Sequence, residues 1–395
     1  MKKVLSLLLA AAMCTSVLAG CGNSAGDTAD TSSDNGAEST AAAFKIGGTG
    51  PVTGDAAIYG NAVKNGAQIA VDEINAEGGI QIEWNMEDDE NDPEKAVSAY
   101  NNLKDWGMQL SLGSVTSKPG EATATENYAD RIFALTPSAS STAVTEGKDN
   151  VFQMCFTDPN QGASAAELMS QKWPDATIGV IYDSSDPYSS GIVEGFLAKA
   201  EELGLNVAVS DASFTADNKS DLSTQVTQCK DAGCDLVFLP FYYTEASQVL
   251  TYANTVGYKP TFFGCDGMDG ILNVEGFDTA LAENLVLMTP FDANATDDAT
   301  VSFVTQFKEN NDGKVPNQFA ADGYDVIYAL YNACVAAGID GNTPAEEACA
   351  MLQEQFAGMT FDGLTGKSMT WDENGMISKA PAAVVVTDGV YVPMD

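Results

Sequence analysis

The sequence predicts an α/β protein built from two doubly wound, mainly parallel sheets. From Phe44 onward, short apolar runs rich in β-branched residues alternate with longer helical segments, and this alternation occurs in two separate series. Parallel strands joined through helices form sheets that are covered on both faces. The length of 395 residues and the hydrophobic content of 45% supply enough apolar material for two ordinary cores. We therefore expect two lobes, each with its own sheet.

The first series lies between residues 44 and 135. A strand that begins at Phe44-Lys45-Ile46 stops at a glycine-rich turn, and Asp92-Pro93 opens a later helix as N-cap and first-turn proline. The helix after the first strand ends at Gly78-Gly79, and its apolar stripe consists of Val63, Ala67, Ala70, Val71 and Ile74. Further strands are predicted at Ile80–Trp84, Leu110–Val115 and Ile132–Leu135, with a helix from Pro119.

The second series begins at residue 177. Its predicted strands are Thr177–Tyr182, Val207–Ser210, Leu236–Leu239 and Thr261–Phe263. One predicted helix carries the apolar stripe Ile192, Phe196, Ala200 and Leu203. Two further helices are predicted at Leu222–Asp231 and Glu245–Val256. The capping box Thr343-Pro344-Ala345-Glu346 marks a late helix, and Ala383–Val386 is predicted as the final strand.

The amino-terminal residues predict export and anchoring. In residues 1–20, Lys2 and Lys3 precede an apolar stretch that is too short for a permanent membrane-spanning helix. The stretch ends in Leu18-Ala19-Gly20-Cys21, which resembles the lipobox of bacterial lipoproteins and implies that Cys21 carries the lipid. Residues 22–43 are small and polar and cannot offset their ordering entropy, so we expect a lipid-anchored flexible tether at 21–43. The folded part then lies outside the cytoplasm.

Charge and composition exclude several functional classes. The 56 acidic residues outnumber the 18 basic ones, so the field of the protein repels nucleic acids and anionic lipid head groups. The chain has no histidine, which removes the commonest general base and imidazole metal ligands. We predict no catalytic residues, no metal, no cofactor and no nucleic-acid partner. After residue 20, no apolar run is long enough for a transmembrane helix.

The cysteines after Cys21 leave the disulfide state open. Export permits disulfides without requiring them. Cys229 and Cys234 flank a helix-to-strand turn, Cys334 and Cys349 lie on two consecutive predicted helices, and either pair could form a bridge. Free buried thiols are an equal alternative for the whole set, which comprises Cys155, Cys229, Cys234, Cys265, Cys334 and Cys349.

The loops at the carboxyl ends of the strands are the expected ligand site, because open α/β sheets bind ligands at that edge. Ser117, Ser138 and Ser140 offer hydroxyl and backbone N–H donors to an anion. Asp266, which lies between glycines at a strand end, suits an ammonium group, and Tyr59, Tyr188 and Tyr242 provide amphipathic walls. Together they suit a zwitterionic amino acid. Each residue also has a structural alternative as an N-cap, an Asx turn or a half-buried tyrosine.

The order of the loop motifs carries a family resemblance. The motifs are Gly50-Pro51-Val52-Thr53-Gly54-Asp55, Tyr59-Gly60, Asp72-Glu73-Ile74-Asn75-Ala76-Glu77-Gly78-Gly79, Thr136-Pro137-Ser138-Ala139-Ser140 and Gly264-Cys265-Asp266-Gly267. From residue 44 onward, the chain resembles the branched-chain amino-acid-binding proteins of bacterial ABC transporters. The resemblance implies the periplasmic-binding-protein type I fold with a three-segment hinge and delivery to an ABC permease. It places lobe 1 at 44–157 and 291–375, and lobe 2 at 158–290 and 376–395.

The resemblance also implies a set of ligand contacts. The positions for the ligand carboxylate match Ser117, Ser138 and Ser140 with the intervening Ala139, and Asp266 matches the acidic partner of the ligand ammonium. The aromatic contacts match Tyr59, Tyr188 and Tyr242, and the side-chain pocket matches Val115 and Thr116. Asp266 is one methylene shorter than the glutamate of the best-known members. Thr116 stands where some relatives have a disulfide cysteine, so that bridge is absent here.

These contacts favour a neutral aliphatic α-amino acid. We expect a monomer whose two lobes close around this ligand. Lys118 is the only basic residue in the expected site loops, which argues against an acidic ligand side chain. Amide, urea and aromatic-acid ligands are alternatives that Asp266 disfavours, because it would stay buried and unpaired. A sensory module that presents the ligand to a receptor remains open. A carboxylate-based hydrolase would need a second carboxylate within about 5–10 Å of Asp266 in the same cleft.

Overall fold

The computed structural model describes residues 42–394 of the chain. The export signal, Cys21 and nearly all of the expected tether therefore lie outside the described residues. Within 42–394, every helix is too short or too polar to cross a lipid bilayer.

The first sheet has five parallel strands in the order β2-β1-β3-β4-β5. The strands are β1 (Phe44–Gly50), β2 (Ile82–Asp88), β3 (Leu110–Ser114), β4 (Phe133–Thr136) and β5 (Val151–Gln153). They are connected by helices α1 (Ala57–Glu77), α2 (Pro93–Trp106) and α3 (Ser117–Asp130). All five residues of β3 are buried, as expected for a central strand covered on both faces.

The second sheet has seven strands in the order β12-β11-β10-β9-β8-β6-β7. The strands are β6 (Thr177–Asp183), β7 (Asn206–Phe214), β8 (Leu236–Leu239), β9 (Thr261–Gly264), β10 (Val286–Thr289), β11 (Ala382–Thr387) and β12 (Val390–Pro393). Strands β6 to β10 are parallel, whereas β10-β11 and β11-β12 pair antiparallel. The helices of this half are α4 (Asp158–Lys172), α5 (Pro187–Leu203), α6 (Ser223–Asp231) and α7 (Tyr243–Thr255).

The chain passes between the two sheets three times. It leaves the first sheet after β5, returns after β10, and enters the second sheet again before β11. Between the last two passages lie α8 (Asp298–Asn310), α9 (Gln318–Ala337) and α10 (Ala345–Phe356), which pack on elements of the first sheet. Helix α9 lies very close to α1, because a Cβ atom at Gly66 would be 1.8 Å from the carbonyl oxygen of Ala320.

A buried ion pair ties two of these passages together. Lys379 precedes β11, and its Nζ lies 2.8 Å from Asp322 Oδ1 on α9. The same ammonium donates a hydrogen bond of 2.9 Å to the carbonyl oxygen of Met154, directly after β5. The two charged side chains are only 2% and 3% exposed. The pair therefore fixes the first and third passages to helix α9.

The predicted fold class is confirmed by these two mainly parallel sheets. The bounds given above for the two lobes stay a prediction. All six cysteines in the described residues are free and buried, so neither candidate pair is bridged. The predicted final strand is followed by β12, a short exposed strand joined to β11 by a tight turn at Gly389.

The predicted capping box at Thr343 is wrong. Helix α10 has Pro344 at the N-cap position, and no side chain caps it. The Thr343 hydroxyl instead accepts a hydrogen bond of 3.1 Å from the N–H of Asp340. By contrast, Asp92 caps α2 as predicted, since one carboxylate oxygen accepts the N–H groups of Glu94 and Lys95 at 2.9 and 3.0 Å.

We expect Lys379→Met to lower the free energy of unfolding by about 3–5 kcal/mol, because Asp322 is then left as an uncompensated buried carboxylate. Lys95→Met is the matched control, since Lys95 and its partner Glu90 are 52% and 49% exposed. Its loss should be much smaller, because exposed ion pairs contribute little to stability. Urea denaturation of both variants measures the difference, and equal losses would contradict a structural role for the buried pair.

Candidate functional site

A small cavity lies where the carboxyl ends of the two sheets face each other. Its described lining consists of Tyr59, Val115, Thr116, Ser117, Ser138, Tyr188, Tyr242, Asp266, Gly267 and Phe319. Eight of the ten ligand contacts expected from the sequence are in this set, and Ala139 and Ser140 are not. The volume of about 10 Å³ is close to the space that one water molecule needs.

The amino terminus of α3 provides hydrogen-bond donors on one side of this cavity. Ser117 Oγ accepts the backbone N–H groups of Ser140 and Ser141, both at 3.1 Å. Because a hydroxyl has two acceptor sites and one donor, the Ser117 proton remains available to a ligand. Thr116 Oγ1 is buried and makes no hydrogen bond in the described structure. The first N–H groups of a helix also lack intrahelical acceptors, so this side suits an anion.

The segment after β4 places fewer residues at the cavity than the sequence predicted. Ser138 lines the cavity, but its hydroxyl already donates a hydrogen bond of 2.6 Å to the carbonyl oxygen of Val115. Ala139 points the other way and packs against Gly120, where an added Cβ atom would lie 2.7 Å from the Ala139 methyl. The N–H of Ser140 is taken by Ser117, as described above. Neither Ala139 nor Ser140 therefore reaches the cavity.

Asp266 is the only acidic residue among the described residues of the cavity lining. Its carboxylate accepts a hydrogen bond of 2.6 Å from the Tyr188 hydroxyl, which in turn accepts the N–H of Gly267 at 2.9 Å. No ion pair of Asp266 occurs within residues 42–394, and the nearby Lys379 is paired with Asp322 instead. Burial raises the pKa of Asp266, whereas the hydrogen bond from Tyr188 and the charge of Lys379 lower it.

The backbone around Asp266 is held from two directions. Its N–H donates to Gln161 Oε1 at 3.1 Å, and its carbonyl oxygen accepts from Gln318 Nε2 at 3.0 Å. Gln161 lies in the first turn of α4, and Gln318 is the first residue of α9. Helices from both halves of the molecule therefore fix the position of this carboxylate.

Aromatic rings form the remaining walls. The rings of Tyr188 and Tyr242 are stacked with centroids 5.1 Å apart and an interplanar angle of 16°. Tyr59 contacts Tyr242 edge-on at 5.4 Å and Phe319 at 4.5 Å. Phe319 and Gly267 line the cavity but were not among the expected contacts. Phe319 lies far along the chain on α9, and only the Asn317 N-cap before it marks the start of that helix in the sequence.

Several contacts hold the beginning of α1 against the second half of the molecule. The Tyr59 hydroxyl donates to the carbonyl oxygen of Gly267, and the N–H of Ile58 donates to the Tyr243 hydroxyl at 3.1 Å. Lys219 Nζ lies 3.1 Å from Asp55 on the α1 side and 3.0 Å from Glu245 on its own side. These contacts cover the cavity and describe a closed arrangement.

A second buried carboxylate, Asp158, lies behind this site. It is 1% exposed, and neither of its oxygens makes a hydrogen bond of normal geometry. Burial raises the pKa of Asp158 well above its usual value, and the nearby Ser140 hydroxyl lowers it only in part. Asp158 does not belong to the cavity lining. Within residues 42–394, no group of three or more acidic or cysteine side chains is arranged to hold a metal ion.

Comparison with known proteins places this geometry in context. The model of a family described as periplasmic binding protein matches residues 43–389. A Leu/Ile/Val-binding protein of Rhizobium johnstonii is 28% identical over 84% of this chain and 88% of its own length. A leucine-, isoleucine-, valine-, threonine- and alanine-binding protein of Pseudomonas aeruginosa is also 28% identical, over 84% of this chain and 86% of its own.

Solved structures agree with the sequence comparison. A branched-chain amino-acid transporter substrate-binding protein from Streptococcus pneumoniae, in complex with isoleucine, superposes with a TM-score of 0.79 at 26% identity. The match covers 89% of this chain and 98% of that protein. The resemblance stated from the loop motifs is therefore confirmed by sequence and by structure.

Proposed function

This chain belongs to the periplasmic binding protein family, and on that basis we propose that it captures a neutral aliphatic α-amino acid and delivers it to an ABC permease. One observation carries the proposal. A helix amino terminus with free hydroxyl donors faces a buried carboxylate that has no cationic partner among the described residues, across one small cavity. A zwitterion fits this arrangement because it brings one charge of each sign.

The names of the two relatives support the choice of ligand. Both relatives are named for leucine, isoleucine and valine, and the Streptococcus pneumoniae structure contains isoleucine. In the present site, the ligand carboxylate would accept from Thr116, Ser117 and the first turn of α3. The ammonium would pair with Asp266, and an aliphatic side chain would contact the rings of Tyr59 and Phe319.

Closure of the two halves is part of the proposal. A cavity of about 10 Å³ holds one water molecule and no amino acid, so the halves must separate to admit the ligand. The three passages between the sheets would act as the hinge, with the lobes at 44–157 and 291–375, and at 158–290 and 376–395. A ligand that contacts both lobes then shifts the equilibrium towards the closed form.

Other cargo and an enzymatic role fit the site less well. The described lining has no basic residue, so an acidic ligand side chain would be buried without a counter-charge. An amide, a urea or an aromatic acid would leave Asp266 unpaired. A carboxylate-based hydrolase needs two acids in one cleft, and Asp158 lies outside the lining that contains Asp266. We further propose that the protein works as a monomer outside the cytoplasm, anchored through a lipid on Cys21.

The proposal is tested by a thermal-shift screen of the twenty amino acids. Leucine, isoleucine or valine should stabilise the protein most, since a ligand at 100 times its Kd adds about 2.7 kcal/mol to the free energy of unfolding. Glutamate and lysine should give at least tenfold weaker binding, because each would bury an unpaired charge. Absence of any shift with all twenty amino acids would refute the proposal.

Asp266→Asn should reduce the affinity for the preferred amino acid by about 2 kcal/mol or more, which is roughly 30-fold. Wild-type affinity should also fall as the pH is lowered below neutral, because burial raises the pKa of Asp266 and the protonated carboxyl cannot pair with an ammonium group. The variant should lack this pH dependence. Titration calorimetry measures both effects, with Asp183→Asn as a control acid outside the cavity lining. A less than threefold loss for Asp266→Asn would contradict the assignment.

Lys219→Met should favour the open form, because it removes the ion pair to Asp55 across the two halves. Partly exposed pairs contribute about 0.2–1 kcal/mol, so ligand affinity should fall by no more than about fivefold. Small-angle X-ray scattering of the ligand-free protein should give a larger radius of gyration. Lys118→Met is the control, since Lys118 lines the same surface pocket as Lys219 and Asp55 but forms no ion pair within the described residues. Identical scattering from both variants and wild type would argue against a role of the Lys219–Asp55 ion pair in holding the closed form.

A further inference from the structure

A second cavity of about 220 Å³ lies beside the passages between the sheets, on a different side of the Asp266 loop. We call it the crossover cavity. Its walls come from four places in the chain: the loop after β9, the passage after β10, the start of α9 and the β11-β12 hairpin. It is defined by Asp269, Leu272, Phe291, Val315, Val390 and Tyr391 among its fourteen described lining residues. None of these belongs to the lining of the first cavity.

The walls of the crossover cavity are largely apolar. Phe291 and Val384 form its inner side and are 6% and 4% exposed. Val315 and Val390 form its rim and are 50% and 53% exposed, which places two large apolar side chains in contact with solvent at the entrance. A cavity of this size, below the usual range for drug-sized ligands, suits a short alkyl chain.

The polar groups of this cavity carry negative charge. Asp269 is 3% exposed, and its Oδ2 accepts the N–H of Gln318 at 2.9 Å. Its Oδ1 is buried and makes no hydrogen bond of normal geometry. The second acid of the lining, Asp292, lies at the rim, and its carboxylate accepts the N–H of Asn294 at 2.8 Å. The fourteen described lining residues include no lysine or arginine.

The groups around Asp269 leave its charge without a cation. The Tyr391 hydroxyl accepts the N–H of Gly270 at 3.3 Å and lies beside the carboxyl group. Burial raises the pKa of Asp269 to about 7, with the charges of Asp266 and Asp322 acting in the same direction. Asp266 has no cationic partner within the described residues, so its charge would also favour a cation at Asp269, whereas the charge of Asp322 is balanced by Lys379.

We propose that the crossover cavity binds a small alkylamine, with its ammonium group at Asp269 and its alkyl chain between Phe291, Leu272 and Val390. The amine supplies the cation that the described lining lacks. The alkyl chain removes the exposed apolar rim from water. This site is separate from the amino-acid site and does not depend on the proposed transport function.

The test uses 3-methylbutylamine as the probe and ligand-observed NMR up to 20 mM. Wild-type protein should show saturable binding with a Kd in the millimolar range, and the isosteric alcohol 3-methylbutan-1-ol should bind at least tenfold more weakly. Asp269→Asn should weaken amine binding at least tenfold, because it removes the charge and keeps an acceptor for Gln318. The control Asp292→Asn should stay within threefold of wild type, since that acid lies at the rim.

A second variant tests the proposal independently, in case Asp269→Asn does not fold. Val390→Trp places a large ring at the rim, where the native side chain is already 53% exposed, and it should abolish amine binding without loss of the fold. Amine binding that persists unchanged in both variants, or that is absent from wild type at 20 mM, overturns the proposal. Competitive displacement of the amine by leucine also overturns it, because the probe would then lie at Asp266. Amine binding to the two variants is measured without any amino acid, so this result is independent of the proposed function.

Discussion

The structure depends on a buried carboxylate that its surroundings orient but do not neutralise. Asp266 accepts one strong hydrogen bond from Tyr188, and its backbone is held by Gln161 and Gln318. These contacts fix the group in place, yet none of them supplies a positive charge. A buried charge without a partner costs free energy, and in the proposed function a ligand that brings a cation completes the site. The same constraint explains why the lining has aromatic walls, which exclude water and strengthen the pairing.

The opposite end of the site follows from how α3 begins. Ser117 uses both lone pairs of its hydroxyl to accept the N–H groups of Ser140 and Ser141, so the loop after β4 and the start of α3 hold each other. The only hydrogen-bonding capacity that remains on this hydroxyl is its proton, which makes it a donor before any ligand arrives. An anion at this point meets donors that need no reorganisation. The two ends of the cavity thus differ in sign because one is a helix amino terminus and the other is a carboxylate.

The sequence predicted the fold class and most of the cavity lining because both depend on local signals. Strand ends are recognisable, and eight expected contacts lie at such ends or in the first turn of the next helix. Ala139 and Ser140 do not line the cavity, because the Ala139 methyl packs against Gly120 and the Ser140 hydroxyl lies beside Asp158. Phe319 was missed because it lies at the start of α9, which does not follow a strand of either sheet. It lies at the cavity because the chain returns to the first half after β10. The cap at Thr343 failed because a hydroxyl can accept from a preceding loop as readily as from its own helix.

In the proposed hinge, solvent exposure distinguishes the contacts that stay intact from those that break when the halves separate. The pair of Lys379 and Asp322 is almost fully buried, so breaking it would strand a charge in a medium of low polarity, and the passages it joins remain together. Lys219 and Asp55 are 37% and 70% exposed, so water replaces their contact at little cost when the halves separate. The buried hydrogen bonds across the two halves differ from this exposed pair, since Tyr59 donates to Gly267 and Gln318 donates to both Asp266 and Asp269. Opening must therefore rehydrate the site itself, and a ligand that restores polar contacts there offsets this cost only in the closed form. In the proposed mechanism, closure is in this way coupled to the groups that would bind the ligand.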